Sequence, residues 1–191
     1  TLKRYVSFVR FKPRPPHLTA YNYNLYSAKF NNMNKNIGLV WLREDFRILR
    51  NEALVYASQN HKSVCVIYLY KKDTFAKREA QKWWLYKSLK NFKENLNKIN
   101  INLEVIDTIS YKKIFDKLCN KDNFSLYWNK IYEPNYLKFD NKISKLLTSK
   151  KIPFKIFKGN LLNESNEIKK SDGTPFKVFT PFWRAAEQFY I

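Results

Sequence analysis

Glycine is scarce, with three in 191 residues. No Gly-x-Gly-x-x-Gly follows the first strand-like run, so a dinucleotide pyrophosphate lacks the close backbone approach it needs, and an ordinary NAD site is excluded. Histidine is scarcer. His17 lies in a proline-broken leader and His61 at a helix end, expected to be exposed, so no Ser/His/Asp or Cys/His arrangement is supported. Cys65 and Cys119 have no metal spacing and no disulfide framework; they read as buried thiols of a reducing compartment. No apolar run reaches the ~20 residues that span a bilayer, and no membrane partner is expected. Acidic residues are few, 16 against 36 Lys and Arg, for a formal charge of +20.

That charge has two readings. Clustered Lys and Arg neutralise phosphates and would fit nucleic acid. Yet the cations are 28 Lys and 8 Arg in a chain also rich in Asn, Ile, Tyr and Phe, the mixture that AT-rich coding produces. Lys87, Lys90, Lys93 and Lys98 are spread round one predicted helix, which favours compositional bias and a solvated surface.

Hydrophobic content of 45%, with 17% aromatic, supports a sizeable core. Residues 1–32 stand apart: they hold six Lys or Arg, no acid, and Pro13, Pro15 and Pro16. This segment reads as a targeting leader or as sequence upstream of a start at Met33. From Met33 onward strands and helices alternate. Strands are predicted at Ile37–Leu42, Val64–Leu69, Leu103–Ile106, Phe124–Trp128 and Pro153–Phe157. Helices are predicted from Asn51 to Asn60 and from Lys77 to Asn100, the latter with Leu85, Leu89, Phe92, Leu96 and Ile99 on one face. Two more carry Tyr111, Ile114, Phe115 and Leu118, then Phe139, Ile143, Leu146 and Leu147. Five strands separated by helices predict an α/β fold: a Rossmann-like, doubly wound, mostly parallel five-stranded sheet with helices on both faces.

In such a sheet ligands collect beyond the carboxyl ends of the strands, here Arg43–Asp45, Tyr70–Asp73, Asp107 and Asn129–Asn135. Asp45 and Glu133 offer acceptors to a heterocycle's N–H groups, and Trp41 and Tyr132 offer aromatic contact. Alternatively, Arg43, Asp45 and Arg47 pair with one another or with an adjoining domain. Near the C-terminus, Asp172-Gly173 predicts a turn, and Thr180-Pro181 predicts an N-cap followed by the first helical residue. The helix so opened carries Phe182, Trp183, Phe189 and Tyr190, an aromatic face that wants burial.

Three segments carry a family resemblance. Trp41-Leu42-Arg43-Glu44-Asp45-Phe46-Arg47-Ile48-Leu49-Arg50-Asn51-Glu52-Ala53-Leu54 resembles the W-F-R-x-D-L-R-L-x-D-N-x-A-L signature of DNA photolyases and cryptochromes, with Arg50 where the family usually has Asp. Lys82-Trp83-Trp84-Leu85-Tyr86-Lys87-Ser88-Leu89 is similar to its long second helix, and Lys177-Val178-Phe179-Thr180-Pro181-Phe182 to the segment closing its N-terminal domain. The resemblance implies that 33–180 is the antenna-binding α/β domain, and that 181–191 opens a helix into a missing FAD-binding helical domain. Phe182, Trp183 and Phe189 would then be interdomain docking residues.

It also implies an antenna chromophore held by Arg43, Asp45, Glu133 and Asn135. Folate-binding members place Asn-Glu at the end of the loop after the fourth strand. Here Asn135 and Tyr136 stand there, which disfavours folate and leaves a deazaflavin, a flavin or an empty site. The parent protein would be a deoxyribodipyrimidine photo-lyase, using reduced FAD and light to repair cyclobutane pyrimidine dimers in damaged DNA. The fragment alone would be non-catalytic, with no catalytic residue and no metal ligand. A blue-light cryptochrome receptor and a freestanding basic nucleic-acid-binding domain are the alternatives. A monomer is expected, cytoplasmic in a bacterium, organellar or nuclear in a eukaryote.

Overall fold

Strand β1 (Ile37–Leu42) is buried at all six positions, as its unbroken apolar sequence requires of a strand covered on both faces. The computed structural model describes residues 37–71, 78–108, 110–120, 124–164, 167–188 and 190. The expected boundary between residues 32 and 33, and the docking residue Phe189, lie outside them. Around β1 are β2 (Ser63–Lys71), β3 (Asn102–Thr108), β4 (Phe124–Asn129) and β5 (Phe154–Phe157), in the order β3-β2-β1-β4-β5. Every pairing is parallel, with Ile37 opposite Ser63 on one side and Phe124 on the other. The order reverses between β1 and β4, and the sheet is doubly wound as expected.

Helices α1 (Glu52–Asn60) and α2 (Glu79–Asn97) cover one face. Val40, Leu42 and Val66 meet Ala53, Leu54, Ala57, Leu89, Phe92 and Leu96 there. Helices α3 (Tyr111–Leu118) and α4 (Pro134–Ser149) cover the other, where Leu39, Trp41, Ile67 and Trp128 meet Phe115, Ile143 and Leu147. Trp128 and Phe115 are both wholly enclosed, and truncating either to Ala would cost about 3–5 kcal/mol.

Several local expectations are corrected. Ile99 does not share the buried face of α2; the helix ends before it, Asn100 takes a left-handed φ of 58°, and Ile99 is 48% exposed. His61 is not exposed: it is half-buried, with Nε2 2.7 Å from the Tyr127 hydroxyl. Helix α5 (Phe179–Glu187) begins before Thr180, with Val178 in the capping position, so Pro181 is the third helical residue. Proline fits because the first four helical N–H groups need no intrahelical partner; the Phe182 amide makes the helix's first bond, to the Val178 carbonyl.

Candidate functional site

At the reversal of strand order the β1–β4 ladder ends at Val40 and Tyr127, and beyond it the loop after β1 is pinned by polar side chains. Asn51, only 1% exposed, caps α1 by accepting from the Leu54 amide at 3.1 Å. Its amide also donates to the Arg47 carbonyl at 3.2 Å. Asn129 at the end of β4 donates to Asn51 Oδ1 at 2.9 Å and to Asp45 Oδ2 at 3.1 Å, and accepts from the Ala53 amide at 3.1 Å.

Arg43 is buried at this junction. Its guanidinium pairs with Asp140 of α4 at 2.8 Å and donates to the Asn129 backbone carbonyl. It lies 4.8 Å from the Trp41 ring centroid and 5.9 Å from that of Tyr136. Burial lowers the Arg43 pKa and raises that of Asp140; in both, the opposite charge restores only part of what desolvation takes. Asp45 faces the other way, its carboxylate gripped by the Arg47 guanidinium at 2.7 and 2.8 Å. Burial raises the Asp45 pKa, but the bonds from Arg47 and Asn129 outweigh it and leave the group below its usual range.

Over this floor opens a cavity of about 220 Å³. Trp41, Arg43, Glu44 and Phe46 line it from the β1 side, Tyr68 and Lys71 from β2, Leu85 from α2, Tyr111 from α3 and Tyr136 from α4. Burial raises the pKa of all three phenols, most strongly Tyr68, so they stay protonated and offer O–H donors. The cavity therefore combines aromatic faces, hydroxyl donors, two cations and one carboxylate.

Of the residues singled out in the sequence, Arg43 lines the cavity and Asp45 sits in the pinned loop beneath it. Glu133, the capping residue before α4, and Asn135 in its first turn are both exposed, and Tyr136, the next residue, forms the wall. Sequence reasoning missed Tyr68, Tyr111 and Asp140. Asp140 carried a signal: it lies three residues before Ile143 and seven before Leu147, on the apolar face of α4, where a carboxylate requires a partner. Among the described residues no group of three or more His, Cys, Asp or Glu side chains is placed to hold a metal ion, and no helix is long and apolar enough to cross a membrane.

On α5, Phe182 turns inward against Phe176, with centroids 6.3 Å apart. Phe179 and Trp183 stack on the outside, 71% and 43% exposed. The segment between β5 and α5 is held to the loop after β4 by Lys130 and Tyr132, each 2.8 Å from Glu164.

A deoxyribodipyrimidine photo-lyase of Agrobacterium fabrum is 30% identical over 149 residues, which cover 78% of this chain and 31% of that protein. Cryptochrome-2 of Arabidopsis thaliana is 28% identical over 150 residues, 76% of this chain and 24% of the relative. The crystal structure of a bacterial class III photolyase from Agrobacterium tumefaciens superposes with a TM-score of 0.68 at 28% identity, covering 81% of this chain and 32% of that one. The chain thus spans no more than about a third of the length of these proteins. The DNA photolyase family model matches residues 38–190, and on that match, joined to the shared fold, this chain belongs to the DNA photolyase family.

Proposed function

We propose that this chain is the antenna-chromophore domain of a photolyase-like flavoprotein, and that the cavity at the strand-order reversal receives the chromophore's ring system. The observation that carries this reading is the convergence of Trp41, Tyr68, Tyr111 and Tyr136 from four elements round one opening, with Arg43 fixed at its base. Planar heteroaromatics bind by stacking on aromatic walls and by a few placed polar groups. At about 220 Å³ the cavity is smaller than the roughly 300–1,000 Å³ of whole small-molecule sites, so it suits a ring system whose tail runs out to solvent. Arg43, Lys71 and the phenols are all donors and match ring carbonyl oxygens, which fits a deazaflavin or a flavin. When bound, such a group supplies absorption of light and transfer of excitation to a second flavin.

That second flavin, FAD, would be held by a helical domain that this chain does not contain, and light-driven splitting of a flipped-out pyrimidine dimer would occur there. Helix α5 leads toward that domain, and the exposed Phe179–Trp183 pair suits docking against it. A cryptochrome photoreceptor is the second reading, favoured by the similarity to Arabidopsis cryptochrome-2.

Fluorescence titration of the purified chain with a deazaflavin, FMN and a methenyl folate tests the chromophore assignment. The expected result is binding of the deazaflavin or FMN, weakened at least tenfold by Tyr68→Ala with the fold intact by circular dichroism. Binding of the folate alone, or of none of the three, would overturn it.

A further inference from the structure

The lysines of α2 spread over an arc of about 140° of the helix, whereas those of α4 lie within about 60°. Lys138, Lys142 and Lys145 follow one another at steps of four and three along α4, all exposed, so they form a single stripe. Lys113 and Lys117, one turn apart and exposed, form a second stripe on α3. The two helices lie side by side through Tyr111 and Phe139, whose ring centroids are 5.7 Å apart, so both stripes belong to one surface.

Acidic side chains do little to offset this surface. Within the two helices the acids are Asp116, half-buried, and Asp140, buried and paired with Arg43. Among the described residues, Lys113, Lys138, Lys142 and Lys145 form no ion pair. The opposite layer differs: on α2, Lys82 pairs with Glu79 at 2.7 Å and Lys90 with Glu94 at 4.0 Å. Lys87 lies 5.6 Å from the centroid of the Trp83 ring. On the α3–α4 layer, the lysines of the α4 stripe and Lys113 thus carry charge that no ion pair among the described residues offsets.

We propose that the outer surface of α3 and α4 binds the phosphate backbone of nucleic acid without sequence preference, as a contact separate from any lesion-binding groove. The Lys138–Lys145 stripe is about 10 Å long at 1.5 Å per residue. A duplex presents one phosphate per 3.4 Å of each strand, so the stripe spans about three. Interleaved and equally exposed are Asn135, Asn141, Thr148 and Ser149, side chains of the type that contact phosphate and sugar. An anionic membrane is the poorer match, because surface-lying helices insert apolar side chains. The large exposed hydrophobics lie elsewhere, as Leu49, Trp84, Leu162 and Phe179 among others, and not on α3 or α4. The lysines are long and solvated, so the contact is electrostatic and salt-sensitive.

The test is binding of the 191-residue chain to a short undamaged DNA duplex across a salt series. Lys138→Gln, Lys142→Gln and Lys145→Gln are combined in one variant. A second variant carries the same three-for-three change at Lys87, Lys90 and Lys93 of α2. The first is expected to weaken binding at least tenfold at low salt and to reduce the slope of log K against log salt by about 2–3. The second should leave the slope within about one of the unaltered chain. All six sites are exposed, so both variants should fold, with circular dichroism as the check. Equal losses in the two variants would show that net charge alone acts, and no loss in the first would remove the surface; either result overturns the proposal. Tighter binding to phosphatidylserine vesicles than to DNA, lost in the first variant, would overturn it in favour of a membrane.

Discussion

Asn129 donates a 2.9 Å hydrogen bond to Asn51, joining the end of β4 to the cap of α1. The same two amides hold Asp45, Arg47 and Ala53, so the loop under the cavity is fixed by side chains rather than by strand pairing.

Removing one of them should be costly. Asn129→Ala removes one donor each from Asn51 Oδ1 and Asp45 Oδ2 and takes the side-chain acceptor from the Ala53 amide, and is expected to lower stability by about 2–3 kcal/mol. Urea unfolding with an unchanged m-value would report it. A loss below about 0.5 kcal/mol would mean that water replaces the network.

Asp140→Asn isolates a buried guanidinium and should cost about 3–5 kcal/mol. The paired change Arg43→Met with Asp140→Leu removes both charges, and should recover most of that loss while still abolishing chromophore binding. Denaturation and ligand titration on the same samples separate the two effects. If the double variant is no more stable than the single one, the cost lies in packing and not in the orphaned charge.

The Asp45 carboxyl supplies a pH dependence whose sign is fixed. Its folded pKa lies below the usual 3.8, so its contribution is present above that value and is lost as pH falls through the folded pKa. Asp140 acts oppositely: its pKa is raised, so proton uptake relieves a cost of burial. The informative quantity is therefore the difference in stability between the unaltered chain and Asp45→Asn, which should shrink below about pH 4. A constant difference from pH 7 to pH 3 would show that Asp45 acts through hydrogen-bond geometry alone.

Gly159 follows β5 where the chain passes over the loop after β4. A Cβ there would sit 1.9 Å from the Lys130 carbonyl oxygen, so the backbone has to move. Gly159→Ala should cost about 2–3 kcal/mol. Gly173, with φ 78° and open space around it, should lose only about 1 kcal/mol on the same change. For a domain of this size the two midpoints would separate by several degrees; equal shifts would mean that the close approach at Gly159 relaxes freely.

The sheet was legible because its strands are apolar runs of the right length between helices of clear period. Ile37–Leu42 fits no other element, and Leu89, Phe92 and Leu96 mark the buried side of α2 directly. Boundaries slipped where no residue type enforces them: Ile99 keeps the apolar period after the helix has stopped, and Pro181 is tolerated anywhere in a first turn. The site was legible only in part. Arg43 and Asp45 sit at a strand end that the fold class singles out. Tyr68 and Tyr111 reach the cavity from β2 and α3, and only sheet order and crossover hand bring them together, which no local pattern states. The lysine stripe on α4 was present in the spacing of Lys138, Lys142 and Lys145. What hid it was the surplus of lysine everywhere else.

The order β3-β2-β1-β4-β5 has a consequence for synthesis. When the chain has emerged as far as β3, strand β1 has β2 available to pair with but still lacks β4, which begins at Phe124. Until then β1 is an edge, presenting an apolar strand with free backbone groups to any neighbour. Its second partner must also arrive across a long loop, a slow closure compared with the β1–β2 and β2–β3 units. Slower translation of 98–124 would prolong this state and favour aggregation of nascent chains. The strand most enclosed in the folded protein is the one that waits longest for its second partner on the ribosome.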